Sequence, residues 1–209
     1  MTRGPLLLPR AVGTEFIHLE APPDWDKVFG SSGPLEIEIG CGRGGFALAY
    51  ARRNPQVRYV AFEWGKKYAR HVQQQAEQVG LSHLRVIEAD ARRLIPRLFR
   101  VNSLAQIHLQ FPDPWWKRAH QKRAILQPEF ARLLFDLVEP GGKFDMRTDV
   151  EDRAVDMLNA LEGAGFRNPF GPGLFHPRDE ADVPSSREVR YLQSGQAVFR
   201  ALLVKEPVP

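Results

Sequence analysis

The chain has 209 residues, 43% of them hydrophobic, which is enough for one sizeable core and predicts a globular fold. Its 29 Lys and Arg residues outnumber its 25 Asp and Glu residues by only four, so the net charge alone indicates no partner. A single cysteine and the lack of any long apolar run exclude a disulfide framework and a membrane span, so we expect a cytoplasmic protein with no metal site and no membrane association.

The first regular pattern of the chain begins at residue 35. Residues 1–34 predict an irregular N-terminal extension that ends in the turn-forming sequence "GSSGP", and residues 35–209 form the predicted domain. "LEIEIG" (35–40) is typical of a short strand. The segment after it, "CGRGGFALAYARRNP", predicts a glycine loop followed by an apolar helix.

Strands and helices then alternate along the chain. Apolar residues at helical spacing separate the strands, for example between residues 66 and 80 and after Pro128. This alternation predicts a mostly parallel sheet with helices on both faces. Four further segments are typical of strands: "VRYVAFEWG" (57–65), "LRVIEADA" (84–91), "LAQIHLQF" (104–111) and "GKFDMRTD" (142–149).

The C-terminal part of the chain has a different pattern. "REVRYL" (187–192) and "AVFRALLV" (197–204) flank the turn-like "QSGQ" (193–196). Two apolar-polar segments joined by a short glycine-containing turn predict a β-hairpin. We therefore expect an antiparallel pair to complete the sheet.

The glycine loop matches a nucleotide-binding pattern. Gly40, Gly42 and Gly45 fit G-x-G-x-x-G after a strand and before a helix. Such glycines let backbone approach either a dinucleotide pyrophosphate or the methionine part of S-adenosylmethionine. Glu38 favours S-adenosylmethionine, because its negative charge suits ammonium and sulfonium groups and repels a pyrophosphate. An NAD-linked oxidoreductase, which the glycine spacing also permits, is the alternative.

Further carboxylates follow the predicted strands. Glu63 closes the second strand, where a carboxylate can accept both hydroxyls of a ribose. Asp90 ends the third strand and can accept from an adenine amino group, although a helix cap is the alternative. Asp113 follows the fourth strand, so it would stand at the same edge of the sheet. Cys41 lies inside the glycine loop, but we reject it as a nucleophile because the sequence places no base beside it.

The segment "FPDPWWKRAHQKRA" (111–124) combines a stiff acid with a basic run. Pro112 and Pro114 force extended backbone around Asp113 and so hold it in a loop. No acid occurs between Pro114 and Pro128. The cations predict contact with a phosphate backbone. They are Lys117, Arg118, Lys122 and Arg123, and His120 among them is interpreted as a further phosphate contact.

This segment closely resembles the signature of bacterial tRNA (guanine-N7)-methyltransferases. "EIGCGRGG", "AFEWG", "EADA", "RTD" and "SSREVRYLQSGQAVFRA" occur in that family's order, and the resemblance covers about residues 35–204. It implies a Rossmann-like class I methyltransferase of α/β class with a seven-stranded sheet. The implied reaction transfers the methyl group of S-adenosylmethionine to N7 of a guanine in the variable loop of tRNA.

The resemblance also implies roles for individual residues. Together with the glycine loop, it gives the cofactor-binding residues Glu38, Gly40, Gly42, Glu63, Asp90 and Asp113. Asp113 also matches the family's proposed catalytic acid. Together with the basic run, it gives the tRNA-binding residues Lys117, Arg118, His120, Lys122, Arg123, Asp149, Ser185, Ser186, Arg187 and Glu188. For Asp149, a cap on the following helix is the alternative.

Three positions depart from the family pattern. Trp116 stands where the family often has Pro or His, and Ser185 replaces Thr in the T-x-x-E motif but keeps the hydroxyl. Arg187 replaces the usual aromatic residue of that motif, where its flat cation can still lie over a base.

A non-catalytic RNA-binding protein with the same fold is the second alternative function, beside the NAD-linked oxidoreductase. The sequence indicates no oligomeric state.

Overall fold

The structure is a computed structural model that describes residues 21–113 and 124–207. The chain divides into two compact units, Met1–Arg100 and Val101–Pro209. The first unit contains α1 (Trp25–Phe29), β1 (Leu35–Ile39), α2 (Gly45–Arg53), β2 (Arg58–Glu63), α3 (Lys66–Gln78), β3 (Leu84–Glu88) and α4 (Ala91–Leu98). The second contains β4 (Leu104–Gln110), α5 (Pro128–Leu137), β5 (Val138–Thr148), α6 (Glu151–Ala164), α7 (Ser186–Ser194) and β6 (Phe199–Val204).

The strands of the first unit are parallel and lie in the order β3, β2, β1. Ile39 pairs with Phe62, and Glu63 pairs with Glu88, so the three carboxyl ends are level at one edge. Every residue of β1 is buried, as expected for a strand covered on both faces. The fully buried side chains of this unit include Ile37, Tyr59, Phe62, Leu84, Ile87, Ile95 and Leu98.

Trp25 anchors the segment that precedes β1. Its indole Nε1 donates to the Leu98 carbonyl oxygen at 3.1 Å, and its ring stacks on Phe99 with centroids 5.2 Å apart. The short helix α1 therefore packs into the first unit. Residues 1–20 lie outside the described part of the chain, so the irregular extension over residues 1–34 and the domain start at residue 35 stay predictions.

The second unit combines a parallel and an antiparallel strand pair. Its strands lie in the order β4, β5, β6, with β4 parallel to β5 and β6 antiparallel to it. Helices α5 and α6 pack on each other and against β5. The fully buried side chains here include Leu104, Ile107, Leu109, Leu134 and Phe144. Within residues 21–113 and 124–207, no helix is both long and apolar enough to cross a membrane.

The predicted hairpin is half wrong, and the predicted seventh strand is absent from the described residues, which contain six strands. β6 is antiparallel as expected, but residues 187–192 belong to α7 rather than to a strand. The physical reason is a helix cap: the Ser185 hydroxyl accepts a hydrogen bond from the Glu188 backbone N–H at 3.1 Å. The spacing Ser-x-x-Glu is itself a helix-start pattern, and it outweighs the weak alternation of polar and apolar residues.

Gly44 illustrates how closely the glycine loop packs on the first unit. It has a left-handed φ of 77°, and a Cβ atom there would lie 2.5 Å from Cγ2 of the buried Val72. Gly30 has a similar φ of 69°, but a Cβ atom there would meet nothing within 4 Å. Gly30 therefore provides a matched control for the backbone strain alone.

We expect Gly44→Ala to lower the free energy of unfolding by about 1–3 kcal/mol more than Gly30→Ala, since only Gly44 adds overpacking to the left-handed strain. Urea denaturation of both variants measures the difference. Equal losses would show that Val72 moves aside at no cost.

Candidate functional site

The glycine loop leaves an open surface beside its backbone. The N–H groups of Gly40 and Cys41 both donate to the Phe62 carbonyl oxygen at 2.9 Å, which ties the loop to the end of β2. Gly40 and Gly42 have left-handed φ values of 79° and 54°, and a Cβ atom at either would meet nothing within 4 Å. A ligand can therefore approach the backbone there closely.

Glu63 links the glycine loop to the loop after β2. Its Oε2 accepts from the Gly42 N–H at 2.8 Å, and its Oε1 accepts from the Gly65 N–H at 2.6 Å. Each carboxylate oxygen has a second lone pair, so Glu63 can still accept from the hydroxyls of a ribose. The carboxylate thus both shapes the glycine loop and stands at the ligand edge of the first unit.

Glu38 provides a buried negative charge just before the glycine loop. The residue is 1% exposed, and its Oε2 accepts from the Tyr59 hydroxyl at 3.2 Å. Burial raises the pKa of Tyr59 well above its ordinary value, and the charge of Glu38 raises it further. A carboxylate in this position favours a cationic ligand and opposes the pyrophosphate of a dinucleotide.

Asp90 acts as the N-cap of α4. Its Oδ1 accepts from the Arg92 N–H at 3.0 Å, and the Arg92 guanidinium lies 3.4 Å from the same oxygen. The helix-cap alternative is therefore realised. A capping carboxylate keeps lone pairs for a second donor, so the cap is compatible with an adenine contact at Asp90, which stays a prediction.

Cys41 is buried and unsuited to attack as a nucleophile. Burial raises the pKa of its thiol well above the ordinary value, and the charges of Glu38 and Glu63 raise it further. Because the thiolate is the reactive form, these surroundings suppress its reactivity.

Polar residues occupy one face of the three strands in the second unit. His108 pairs with Asp145 across β4 and β5, and Gln110 pairs with Arg147. Arg147 pairs in turn with Arg200 on β6. Residues paired directly across neighbouring strands project from the same face. All five residues are buried, so their charges must satisfy one another.

Arg147 lies at the centre of this buried network. Its Nη1 donates to Glu188 Oε2 at 2.9 Å and to the Val183 carbonyl oxygen at 3.0 Å. Its Nη2 lies 3.3 Å from Asp145 Oδ2 and 3.4 Å from Asp182 Oδ1. Arg147 thus connects β5 both to the loop before α7 and to α7 itself.

Asp145 stays ionised within the network. Burial alone would raise the pKa of its carboxyl group, but the hydrogen bond with His108 and the charge of Arg147 outweigh burial and hold the pKa below its ordinary value. His108 Nδ1 lies 3.4 Å from Asp145 Oδ2, and Gln110 Nε2 donates to the same oxygen at 2.9 Å. His108 is therefore a packed residue with a partner.

The Ser185–Glu188 motif divides into an internal and an external pair. Ser185 is buried and caps α7, while Glu188 is 0% exposed and lies between Arg147 and Arg200. Ser186 and Arg187 are exposed. Contact of the motif with RNA stays a prediction, and in this conformation only Ser186 and Arg187 present side chains for it.

Asp149 bonds to α7 rather than capping the helix that follows it. Its Oδ2 accepts from the Tyr191 hydroxyl at 2.6 Å, and its Oδ1 lies 3.9 Å from Arg187 Nη1. The N-cap of α6 is Val150, whose side chain makes no capping bond. The hydrogen bond to Asp149 raises the pKa of Tyr191 above its ordinary value.

Phe111 begins the loop that carries Asp113. It has a positive φ of 52°, and its N–H donates to the Arg147 carbonyl oxygen at 2.8 Å. The Arg187 guanidinium lies 5.7 Å from the Phe111 ring centroid, and the Tyr191 ring lies 6.0 Å from it. Asp113 itself is exposed. Outside the described residues lie Lys117, Arg118, His120, Lys122 and Arg123.

The network residues on β5 were not predicted from the sequence. The signal was present in "FDMRTD", where Asp145 and Arg147 alternate with apolar residues that face the other way. Charges at i and i+2 of a central strand indicate buried partners on its neighbours.

In the part of the chain that the structure describes, no group of three His, Cys, Asp or Glu side chains is placed to hold a metal ion.

Solved structures identify the fold. The chain resembles the 16S rRNA methyltransferase KamB with a TM-score of 0.65 and 19% identity, over 96% of this chain and 100% of that one. It also resembles a 16S rRNA (adenine(1408)-N(1))-methyltransferase from Catenulisporales acidiphilia, with a TM-score of 0.59 and 15% identity, over 88% and 90% of the two chains. These likenesses show the fold, which is that of Rossmann-like class I methyltransferases.

Sequence relatives narrow this class. Residues 32–201 match the methyltransferase family model Methyltransf_4. A tRNA (guanine-N(7)-)-methyltransferase from Myxococcus xanthus is 63% identical over 96% of this chain and 98% of its own length. A second, from Anaeromyxobacter dehalogenans, is 49% identical over 88% and 92% of the two chains. The chain belongs to the tRNA (guanine-N(7)-)-methyltransferase family.

We expect the Cys41 thiol of the native protein to react with a thiol-specific disulfide reagent at pH 8 at least about 100-fold more slowly than in urea, because it is buried and its pKa is raised. Absorbance of the released thiolate measures both rates. Fast reaction of the native thiol would contradict this description of the glycine loop.

We expect Asp145→Asn to lower stability at neutral pH and to weaken the acid dependence of unfolding. The carboxyl pKa in the folded protein lies below its ordinary value of 3.8, so ionised Asp145 stabilises the fold above that pH and ceases to do so as the pH falls through the folded pKa. Urea titrations between about pH 6 and pH 3 should show the difference between wild type and variant narrowing with acid. A constant difference would exclude ionisation as its cause.

Proposed function

We propose that this chain transfers the methyl group of S-adenosylmethionine to N7 of a guanine in the variable loop of tRNA. The observation that carries the proposal is the 63% identity to a tRNA (guanine-N(7)-)-methyltransferase along nearly the full length of both chains. The open glycine loop, with Glu38 and Glu63 beside it, supports the choice of a cationic cofactor over a dinucleotide.

The cofactor is S-adenosylmethionine, and the residues of the first unit fit it. Gly40 and Gly42 leave backbone open to its amino-acid part, and Glu63 and Asp90 would accept hydrogen bonds from its ribose and its adenine. Glu38 supplies a negative charge that complements its ammonium and sulfonium groups. When bound, the cofactor supplies an electrophilic methyl group on positively charged sulfur.

The target atom determines what the protein must do. Guanine N7 already has an exposed lone pair, so no residue needs to remove a proton before it attacks the methyl carbon. Alignment of the attacking nitrogen, the methyl carbon and the leaving sulfur can therefore provide most of the rate. We assign Asp113 to this task as the catalytic residue that accepts from the guanine edge and stabilises the positive charge that appears on the methylated ring.

The remaining assignments concern tRNA. The cations Lys117, Arg118, Lys122 and Arg123, with His120, bind backbone phosphates, which gives affinity that falls with salt. Asp149, Ser186 and Arg187 lie where side chains of the second unit reach solvent and can meet the target loop. Ser185 caps α7 and Glu188 pairs with Arg147 and Arg200, so both hold in place the helix that carries Ser186 and Arg187. The protein acts in the cytoplasm, where its tRNA substrate is modified.

Methyl transfer to a tRNA transcript tests the reaction. Labelled S-adenosylmethionine is incubated with a transcript, and with a control in which the variable-loop guanine is replaced by adenine. We expect label only in 7-methylguanosine, and only from the first transcript. No transfer despite tRNA binding would support the binding-protein alternative instead.

We expect Asp113→Ala to lower kcat by roughly 100-fold, as a lost positioning contact does, while tRNA binding stays unchanged. Single-turnover kinetics and filter binding measure the two effects. Asp156→Ala is the control, since Asp156 is exposed on α6 and pairs only with Arg153 among the described ion pairs. Full activity of Asp113→Ala would remove Asp113 from the catalytic role.

A further inference from the structure

Glu188 cannot touch RNA in the conformation described. Its side chain is completely buried, and each of its carboxylate oxygens is held by an arginine. Oε2 accepts from Arg147 Nη1 at 2.9 Å, while Oε1 accepts from Arg200 Nη2 at 2.6 Å and from Arg200 Nε at 2.9 Å. Both carboxylate oxygens are thus paired, so any effect of Glu188 on catalysis must pass through the residues that it contacts.

Arg147 connects Glu188 to the start of the Asp113 loop. Its guanidinium holds α7 through Glu188, and its carbonyl oxygen accepts from the Phe111 N–H at 2.8 Å. Phe111 is a non-glycine residue with a left-handed φ of 52°, a strained conformation that persists only where the surroundings hold it. The Arg147 carbonyl is one such restraint.

Helix α7 supplies the other restraint. Arg187 and Tyr191, on the two sides of Glu188 along this helix, both lie against the Phe111 ring. Tyr191 is further fixed by its hydroxyl, which donates to Asp149, two residues after Arg147. Two paths, one through backbone and one through α7, thus lead from Arg147 to Phe111, and Asp113 is only two residues further along the chain.

We infer that Arg147 and Glu188 are positioning residues, whose side chains set the placement of Asp113 by docking α7, the helix that packs on Phe111. Neither residue contacts substrate, and of the Ser185–Glu188 motif the two end residues, Ser185 and Glu188, act from inside the protein. The role in catalysis rests on the proposed function, whereas the docking of α7 does not. A Lys at position 147 would reach Glu188 but lacks the planar fork that also holds Asp145, Asp182 and the Val183 carbonyl.

A double-mutant cycle separates positioning from direct contact. Glu188→Gln, Arg147→Met and the double variant are compared by kcat/KM for tRNA under conditions where each is folded. If Glu188 acts through Arg147, each single variant loses roughly 10- to 100-fold, mainly in kcat, and the double variant loses no more than the worse single one. If Glu188 touches RNA independently, the two losses multiply, and the inference is overturned.

Tyr191 gives a readout that needs no catalysis. Its hydroxyl bonds to Asp149 only when α7 is docked, so we expect its pKa to return toward the ordinary value of 10.0 in Glu188→Gln. Ultraviolet titration, with Tyr191→Phe to assign the signal, measures this pKa. An unchanged Tyr191 pKa in Glu188→Gln would contradict the docking role, even if wild type transferred no methyl group.

Two further variants complete the test. Glu162→Gln is the matched control, because Glu162 also holds a loop, accepting from the Gly173 N–H at 3.0 Å, but lies outside the network. Glu162→Gln should lower stability without changing kcat or the Tyr191 pKa. If it changes kcat or the Tyr191 pKa, these two quantities report general destabilisation rather than docking of α7, and the inference is overturned. If Glu188→Gln does not fold, Arg147→Lys takes its place. We expect it to lower kcat while leaving KM for S-adenosylmethionine within about two-fold, and wild-type kcat would overturn the inference.

Discussion

The buried carboxylate of Glu188 between Arg147 and Arg200 is the contact on which the second unit depends. Burying a charge is costly, and removing one partner of a buried pair leaves the other uncompensated. Such a pair therefore defines one arrangement of its neighbours sharply, even where it adds little net stability. Here it brings together β5, β6 and α7.

Glu63 plays the corresponding part in the first unit with different chemistry. Its two oxygens accept backbone N–H groups of Gly42 and Gly65, so one side chain ties together two loops that follow different strands. Glycines at the ligand edge remove side chains from the approach path, but they also loosen the backbone. The Glu63 carboxylate offsets that loss, and Gly44, packed on Val72, leaves the loop little room to shift.

The sequence predicted what depends on local pattern and missed what depends on distant partners. Five strands, the glycine loop and the carboxylates at strand ends follow from periodicity and spacing. Residues 187–192 were predicted wrongly because alternation was given more weight than the Ser-x-x-Glu helix start. The burial of Glu188 was not predictable in that way, since its partner Arg147 lies 41 residues earlier in the sequence and its partner Arg200 lies on a different element, β6.

A reaction at guanine N7 demands placement more than proton transfer, and the described residues correspond to that demand. Phe111 holds a strained backbone conformation that costs free energy, and it leads directly to Asp113. Strain is useful here only if it fixes the carboxylate in space, because a loosely held acid would give little alignment. The buried charges behind α7 supply the rigidity that a surface loop lacks. If Asp113 has the proposed catalytic role, burial of Glu188 is compatible with importance for catalysis, since a residue buried away from solvent can still set the placement of Asp113.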